Sequence, residues 1–272
     1  MSDPRLPIRC DAEVAENRAE SGPNRRLRLR VPGWPGSAPG QFVMLSPGAR
    51  AAVERQDPLL PRPMAVYRSV ACDAGSEIEI LFKASGRGTA LLAEARPGER
   101  VRVVGPLGRG FPDPPAGRAA LLVGGGTGIA SLHDLAARAA GRTPTRVLLG
   151  ARTASDLMGG ADFEALGVEL RIATEDGTRG ARGRVTELLE EALAGTPGAS
   201  VFACGPTPMM QRAAALAAAC GAPCFVSLEN PMACGFGVCL GCAAPRADGG
   251  FALVCRDGPV FEAGEIDWGR LA

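Results

Sequence analysis

Between residue 9 and about residue 111, apolar and polar positions alternate with a period of two, in runs short enough to be strands. Cys10, Ala12 and Val14 share one face of the first run, Leu27, Leu29 and Val31 one face of the next, and Ile78, Ile80 and Phe82 one face of another. Turn-forming segments such as Pro32-Gly33-Trp34-Pro35-Gly36 and Ala38-Pro39-Gly40 separate them. Many short strands with few helical stretches predict a closed or nearly closed antiparallel barrel. Near Pro112-Asp113-Pro114-Pro115 the pattern changes. Apolar runs at 119–123, 147–149, 170–173 and 201–203 then alternate with helical periods at 131–140, 185–194 and 208–219. That alternation predicts a parallel α/β sheet. From about Ser227 the periodicity disappears, and the 46 residues that remain are too few for an apolar core of their own. A covalent or metallic tie is expected to hold them. The expected fold class is therefore α/β plus all-β: a flexible N-terminus (1–8), an antiparallel barrel (9–111), an α/β domain (112–226) and a cysteine-rich module (227–272).

Charge excludes some functions. Among 272 residues, 30 Lys and Arg against 29 Asp and Glu leave a net charge of +1, so no general attraction to nucleic acid or acidic lipid is built in. Lys83 is the only lysine, and the abundance of Arg, Ala, Gly and Pro reads as a compositional bias that makes any single arginine less informative. No apolar run approaches the roughly 20 residues of a membrane span, so a soluble, unexported, cytoplasmic protein is expected. Nine cysteines are an odd number, and four of them crowd into positions 234–255, which fits a metal centre in a reducing compartment better than disulfides.

Cys234, Cys239, Cys242 and Cys255 are spaced C-x4-C-x2-C-x12-C, and the first intervals match the plant-type [2Fe-2S] pattern. Gly235, Gly237 and Gly241 let the loop curl closely and turn its amides toward sulfur. A structural zinc site is the competing reading, although it typically takes thiolates as two separated pairs. Cys10, Cys72, Cys220 and Cys224 read as buried or incidental. A second motif runs from the apolar Leu121-Leu122-Val123 into Gly124, Gly125, Gly126, Thr127 and Gly128 and then into a helix. Such a junction presents amides and a positive helix end to a pyrophosphate, although it is not the strict G-x-G-x-x-G fingerprint. Downstream, Glu175 and Asp176 end a strand where they can accept hydrogen bonds from a ribose. They would repel a 2′-phosphate and favour NAD over NADP, while Arg152, Arg179 and Arg182 nearby offset that preference. His133, the only histidine, reads as a helix-packing or solvated residue.

Together these motifs resemble the ferredoxin–NADP reductase superfamily and, within it, the electron-transfer subunits of two-subunit, NAD-linked dihydroorotate dehydrogenases. The resemblance runs from about residue 9 to 268. It is most specific in Met232-Ala233-Cys234-Gly235-Phe236-Gly237-Val238-Cys239-Leu240-Gly241-Cys242 and in Val254-Cys255-Arg256-Asp257-Gly258-Pro259. It implies that the barrel holds FAD, with Arg62, Pro63, Met64 and Ala65 in place of the family's Arg-Pro-x-Ser. The arginine would then meet the FAD pyrophosphate, while Ala65 lacks the hydroxyl that the family places by the isoalloxazine. Gly86, Gly88 and Thr89 would form a second phosphate contact. Cys204, Gly205 and Pro206 would lie near the nicotinamide. The resemblance further implies an FMN-containing catalytic partner that oxidises dihydroorotate in pyrimidine biosynthesis, a heterotetramer, and electron flow through [2Fe-2S] and FAD to NAD⁺. Three rival readings stay open: a sister subunit serving ferredoxin or sulfur compounds, an oxygenase reductase, and a non-enzymatic sensor or zinc-stabilised module.

Overall fold

The computed structural model describes residues 6–47, 60–72 and 75–271. Most of the N-terminal segment expected to be flexible, and the side chain of Cys72, lie outside the described residues. The first domain is a seven-stranded antiparallel sheet of β1 (Ile8–Ala19), β2 (Asn24–Val31), β3 (Phe42–Ser46), β4 (Arg62–Ala65), β5 (Arg68–Cys72), β6 (Gly75–Lys83) and β7 (Arg100–Leu107). Its order is β4-β3-β7-β1-β2-β6-β5, and it curls until β4 approaches β6. It is a half-barrel with two edges. Ala12, Val14, Leu27, Leu29, Ile78 and Ile80 form its sealed inner face, as their two-residue period requires. Outward positions carry cross-strand ion pairs such as Arg30 with Glu13 at 2.7 Å. An unexpected helix, α1 (Arg87–Glu94), closes one end by inserting Leu92 into this core.

The second domain contains β8 (Ala120–Gly125), α2 (His133–Ala139), β9 (Thr145–Ala151), α3 (Gly160–Ala165), β10 (Glu169–Thr174) and β11 (Ala181–Arg182). It continues through α4 (Val185–Ala194), β12 (Ser200–Cys204), α5 (Thr207–Ala219) and β13 (Cys224–Ser227). Strands β8 to β13 pair in parallel. Covered on both faces, the central strands are continuous apolar runs, and Leu121, Leu122 and Val123 are wholly buried.

The tail is less independent than its sequence suggests. It folds into β14 (Ala243–Pro245), β15 (Phe251–Leu253), α6 (Val254–Asp257) and β16 (Val260–Glu262). Strand β16 pairs antiparallel with β13 and so extends the second domain's sheet to seven strands, ordered β11-β10-β9-β8-β12-β13-β16. Ala244, Ala252, Leu253, Val254 and Phe261 share a core with α4 and α5. The expected metallic tie is thus not the tail's only support, because its small apolar residues use a core that the second domain already provides.

The first two domains share polar contacts at residues 156–162, beside apolar ones that Tyr67 and Leu81 make with the second domain's core. Asn24 donates to the Asp156 carbonyl at 3.1 Å, Lys83 pairs with the Asp156 carboxylate at 3.0 Å, and the Gly159 amide donates to Glu20 at 3.1 Å. Beneath them Arg26, only 3% exposed, pairs with Glu20 and Glu79 of the half-barrel and with Asp162 of α3. The Tyr67 hydroxyl also donates to Asp162, at 2.8 Å. Burial raises the Asp162 carboxyl, but hydrogen bonds from Arg26 and Tyr67 outweigh it and hold the group below its ordinary value. His133 packs in the same region between Tyr67 and Phe163, with ring centroids 4.6 and 5.3 Å away. Among the described residues no helix is long and apolar enough to cross a membrane.

Candidate functional site

Two cavities flank the line where the domains meet. The larger, about 590 Å³, opens at the C-terminal ends of the parallel strands, where an α/β sheet binds ligands. Gly125, Gly126, Thr127, Glu175 and Pro206 of the sequence motifs line it. The glycines of the loop do different work. Gly126 has φ +55 with nothing near its missing side chain, so a phosphate can approach the backbone there. A side chain on Gly128 would collide with the Cys204 carbonyl, so this glycine lets the loop pack on β12. Gly124 packs against Ile129 and Leu132. The turn after the loop is a 3-10 helix over Gly126–Ser131, and α2 begins only at His133.

Other motif residues sit differently from expectation. The Asp176 carboxylate accepts from the amide and hydroxyl of Thr178 at 3.0 and 2.7 Å, holding its own turn outside the cavity. Of the acidic pair, only Glu175 faces the cavity. Cys204 lines neither cavity, although it was expected beside the nicotinamide. Its sulfur lies 3.5 Å from both Ser131 Oγ and the Ser227 carbonyl. Burial, reinforced by the charge of Glu229, pushes the thiol up to about 12, so it stays uncharged. Gly205 packs against Gly125 and Met209.

The second cavity, about 490 Å³, lies against the half-barrel and is lined by Pro63, Met64, Ala65, Thr89 and Thr127. Arg62 is placed outside this lining, directly against Gly88, where any side chain would collide with its guanidinium. Among the described residues the only hydrogen bond from its guanidinium goes to the Pro61 carbonyl at 3.2 Å, which leaves most of its fork for an anion. The Thr89 hydroxyl accepts from the amides of Ser85 and Gly86 at 3.1 and 3.0 Å and donates to the Gly86 carbonyl, so it caps α1. A cavity of this size, with the arginine fork and the glycine beside it, suits a flavin dinucleotide.

The cysteine loop presents its thiols as two pairs. Cys242 and Cys255 are buried with sulfurs 3.2 Å apart, and the Cys239 side chain hydrogen-bonds Cys234 nearer the surface. The Gly237 amide donates to Cys255 Sγ at 3.1 Å. Burial raises Cys234, but amides of Cys239, Phe236 and Val238 outweigh it and lower the thiol to about 6, so a thiolate forms readily. Cys255 is pushed up to about 12 by burial and then by Cys242. Two pairs wrapped by amides suit two irons with two thiolates each, whereas a single zinc needs four around one centre. Among the described residues no three such side chains surround one point that could hold a single ion. Gly235 and Gly237 at φ +85 and +86, and Leu240 at φ +61, keep this loop tightly wound. Phe236, Val238 and Leu240 point outward, 56%, 73% and 63% exposed. Among the remaining cysteines, Cys224 is buried, Cys10 partly so, and Cys220 is exposed.

Sequence reasoning missed Asn24, Lys83, Asp156, Arg184, Arg212 and Glu229, all of which line the larger cavity. They converge from both domains, and no local spacing announces them.

Two family models match: "Iron-sulfur cluster binding domain of dihydroorotate dehydrogenase B" over residues 229–267 and "Oxidoreductase NAD-binding domain" over 122–215. The chain is 42% identical to the dihydroorotate dehydrogenase B (NAD(+)) electron transfer subunit of Geobacillus thermodenitrificans, covering 84% of this chain and 86% of that protein. It is 35% identical to the subunit of the same name from Desulforamulus reducens, covering 85% and 87%. Among solved structures, the NADH-dependent reduced ferredoxin–NADP oxidoreductase superposes with TM-score 0.82 at 28% identity, covering 96% of this chain and 91% of that one. The ferredoxin reductase of carbazole 1,9a-dioxygenase shares the fold, with TM-score 0.67 at 24% identity, covering 80% and 67%.

Proposed function

Because the chain belongs to the family of dihydroorotate dehydrogenase B (NAD⁺) electron transfer subunits, we propose that it takes electrons from an FMN-containing partner oxidising dihydroorotate and delivers them to NAD⁺. It is an oxidoreductase that works with FAD, NAD and a [2Fe-2S] cluster. The observation that carries the reading is the placement of two adjoining cavities beside a loop whose thiols form two amide-wrapped pairs.

Within this reading Cys234 and Cys239 hold one iron, and Cys242 and Cys255 the other. Arg62 neutralises the FAD pyrophosphate, and Pro63, Met64 and Ala65 line the ring's resting place. Gly86 and Gly88 keep the backbone open beside Arg62, while Thr89 holds that backbone in shape. In the larger cavity Gly124 to Gly128 form the pyrophosphate loop, Glu175 holds a ribose, and Gly205 and Pro206 shape the nicotinamide end. Cys204 keeps that end packed and uncharged. Asp176 supports the loop that presents Glu175. The flavin, when bound, converts between single electrons and a hydride pair, which neither an iron–sulfur centre nor a nicotinamide can do alone. No side chain then needs to attack a substrate, and the chain's task is positioning.

The exposure of Phe236, Val238 and Leu240 supports a reading in which the partner covers the cluster loop, within an assembly of two copies of each subunit. Co-expression with the partner provides the test. Dihydroorotate-dependent reduction of NAD⁺ that requires both chains is the expected result. Reduction of ferredoxin with no response to dihydroorotate would favour the sister-subunit reading, to which the TM-score of 0.82 also points.

A further inference from the structure

Strand β4 brings Pro63, Met64 and Ala65 to the smaller cavity, and none of these side chains can donate a hydrogen bond. Among the hydroxyls that line the same cavity, Thr89 caps α1 and Ser85 is exposed beside it. Ser131 is different. It ends the 3-10 turn that follows the glycine loop, it is only 6% exposed, and no described residue accepts a hydrogen bond from its hydroxyl. The Cys204 thiol of β12 lies behind it, outside the cavity, and donates toward Ser131 Oγ at 3.5 Å. The hydroxyl hydrogen is therefore left for the cavity. We propose that Ser131, backed by Cys204, is the group that hydrogen-bonds the N5 edge of the flavin ring in both of its oxidation states.

The proposal rests on reading the smaller cavity as the flavin's. In an oxidised flavin N5 carries a lone pair and accepts a hydrogen bond, whereas in a reduced flavin it carries a hydrogen and donates one. A backbone amide suits only the first state and a carbonyl only the second, but a hydroxyl suits both. The reversal needs a place for the hydroxyl's own hydrogen, and Cys204 supplies it. Its sulfur is 3.5 Å from the Ser227 carbonyl as well as from Ser131 Oγ, so the thiol has two acceptors to choose between. With the flavin oxidised, the thiol donates to Ser131 and Ser131 donates to N5. With the flavin reduced, N5–H donates to Ser131, Ser131 donates to the sulfur, and the thiol turns to the Ser227 carbonyl. No covalent bond within the array breaks, because its hydrogens only swing between partners.

The surroundings suit such an array. Cys204 and Ser227 are register partners in the parallel pair of β12 and β13, which fixes the thiol beside that carbonyl. Gly128 packs directly on the Cys204 carbonyl, which fixes the turn that carries Ser131 against β12. Cys204 shares an apolar cluster with the sealed Ile129, Ala130 and Phe202, so water does not compete for these partners. A thiolate could accept from Ser131 but could not donate, and burial keeps the proton on Cys204 by pushing the thiol up to about 12.

The test uses the full chain loaded with FAD and cluster, as wild type, Ser131→Ala, Cys204→Ala and Cys204→Ser. FAD content is measured first. Infrared difference spectra then follow the S–H stretch as dithionite reduces the flavin, and Cys204→Ala identifies the band by deleting it. In the wild type the band should shift on reduction, because the thiol changes acceptor. In Ser131→Ala it should already stand at the reduced position and should not move. Stopped-flow reduction by NADH should be about tenfold slower in Ser131→Ala and Cys204→Ala, the scale of one hydrogen bond, and Cys204→Ser should recover most of the rate. A wild-type band that stays still on reduction, or one that moves equally in Ser131→Ala, would overturn the proposal. So would NADH reduction at the wild-type rate in Ser131→Ala or, if that variant fails to hold FAD, in Cys204→Ala. A wild type that binds FAD and shows the band shift with dithionite but never responds to NADH would instead overturn the functional reading and leave the array standing.

Discussion

At 156–162 the nucleotide-binding domain meets the half-barrel through buried charge, whereas at 234–242 the cysteine loop meets solvent through apolar side chains. Arg26 is 3% exposed and gathers carboxylates from both domains, while Val238 is 73% exposed. The first contact is complete in the polypeptide alone. The second is a set of thiols and amides whose closing bonds come from metal. The difference follows from what each region carries. Hydride transfer needs two rings held within a few tenths of an ångström, so the domains that hold them are clamped. Single electrons tolerate greater distance, so the cluster can sit on a surface loop.

The largest effect should come from the cluster loop. Cys242→Ser removes a buried ligand, and nearly all iron–sulfur absorbance and one-electron reactivity should disappear, as visible spectra and iron analysis would report. Because β16 and the shared apolar core remain, the variant should still fold and NADH should still bleach its flavin. Failure to fold would mean that the tail depends on metal after all.

Arg26→Met attacks the other region. It removes the buried cation shared by Glu20, Glu79 and Asp162 and leaves only the more exposed Arg18 and Arg68 beside them, a loss of about 3 kcal/mol for a broken buried pair. Chemical denaturation should show that loss, and NADH-driven flavin reduction should slow while the cluster spectrum is unchanged. A spectrum altered together with the hydride rate would show that the two regions are not independent.

Asp162→Asn should cost about 2 kcal/mol, the scale of a charge-assisted hydrogen bond, and its effect depends on pH. Because the folded Asp162 carboxyl lies below its ordinary value of 3.8, its contribution is full above that value and is lost as pH falls through the lower folded value. Melting curves of wild type and variant should therefore run parallel near neutrality and converge in acid. A gap that widened in acid would contradict the clamp's electrostatics.

The smallest effects separate the two acids of the ribose loop. Glu175→Ala should raise KM for NADH about tenfold, one hydrogen bond's worth, with kcat little changed. Asp176→Asn should change KM by less than about twofold, because the amide oxygen can still accept from Thr178. Steady-state kinetics with NADH would show it if the two acids had been assigned in the wrong order.

Periodicity made much of the fold legible. The inner face of the half-barrel follows from the two-residue period of Leu27-Leu29-Val31 and Ile78-Ile80-Phe82, and α4 spans the helical stretch read at 185–194. Elements too short to repeat their period escaped: β11, β14, β15 and β16 offer two or three residues each. Helix α1 was hidden because Gly86-Arg87-Gly88-Thr89 looks like a loop, although the threonine that appeared free for phosphate caps it. The tail looked coreless because its apolar residues are few, and only tertiary structure shows the core they borrow. Cysteine spacing and the glycine loop were visible for the opposite reason, since ligands to one centre and one turn must lie close in sequence. Lys83, Asp156 and Glu229 come together only through the docking of two domains, which no local pattern encodes.

The most direct measurement is an anaerobic titration of the purified, cofactor-loaded chain with NADH, followed by visible absorption and by electron paramagnetic resonance at low temperature. Bleaching of a flavin band together with a reduced [2Fe-2S] signal that appears as NADH is added is the expected result, since it places nicotinamide, flavin and cluster on one electron path. A flavin that bleaches while the cluster stays oxidised under every poise, or four thiols that retain zinc in place of iron, would contradict it.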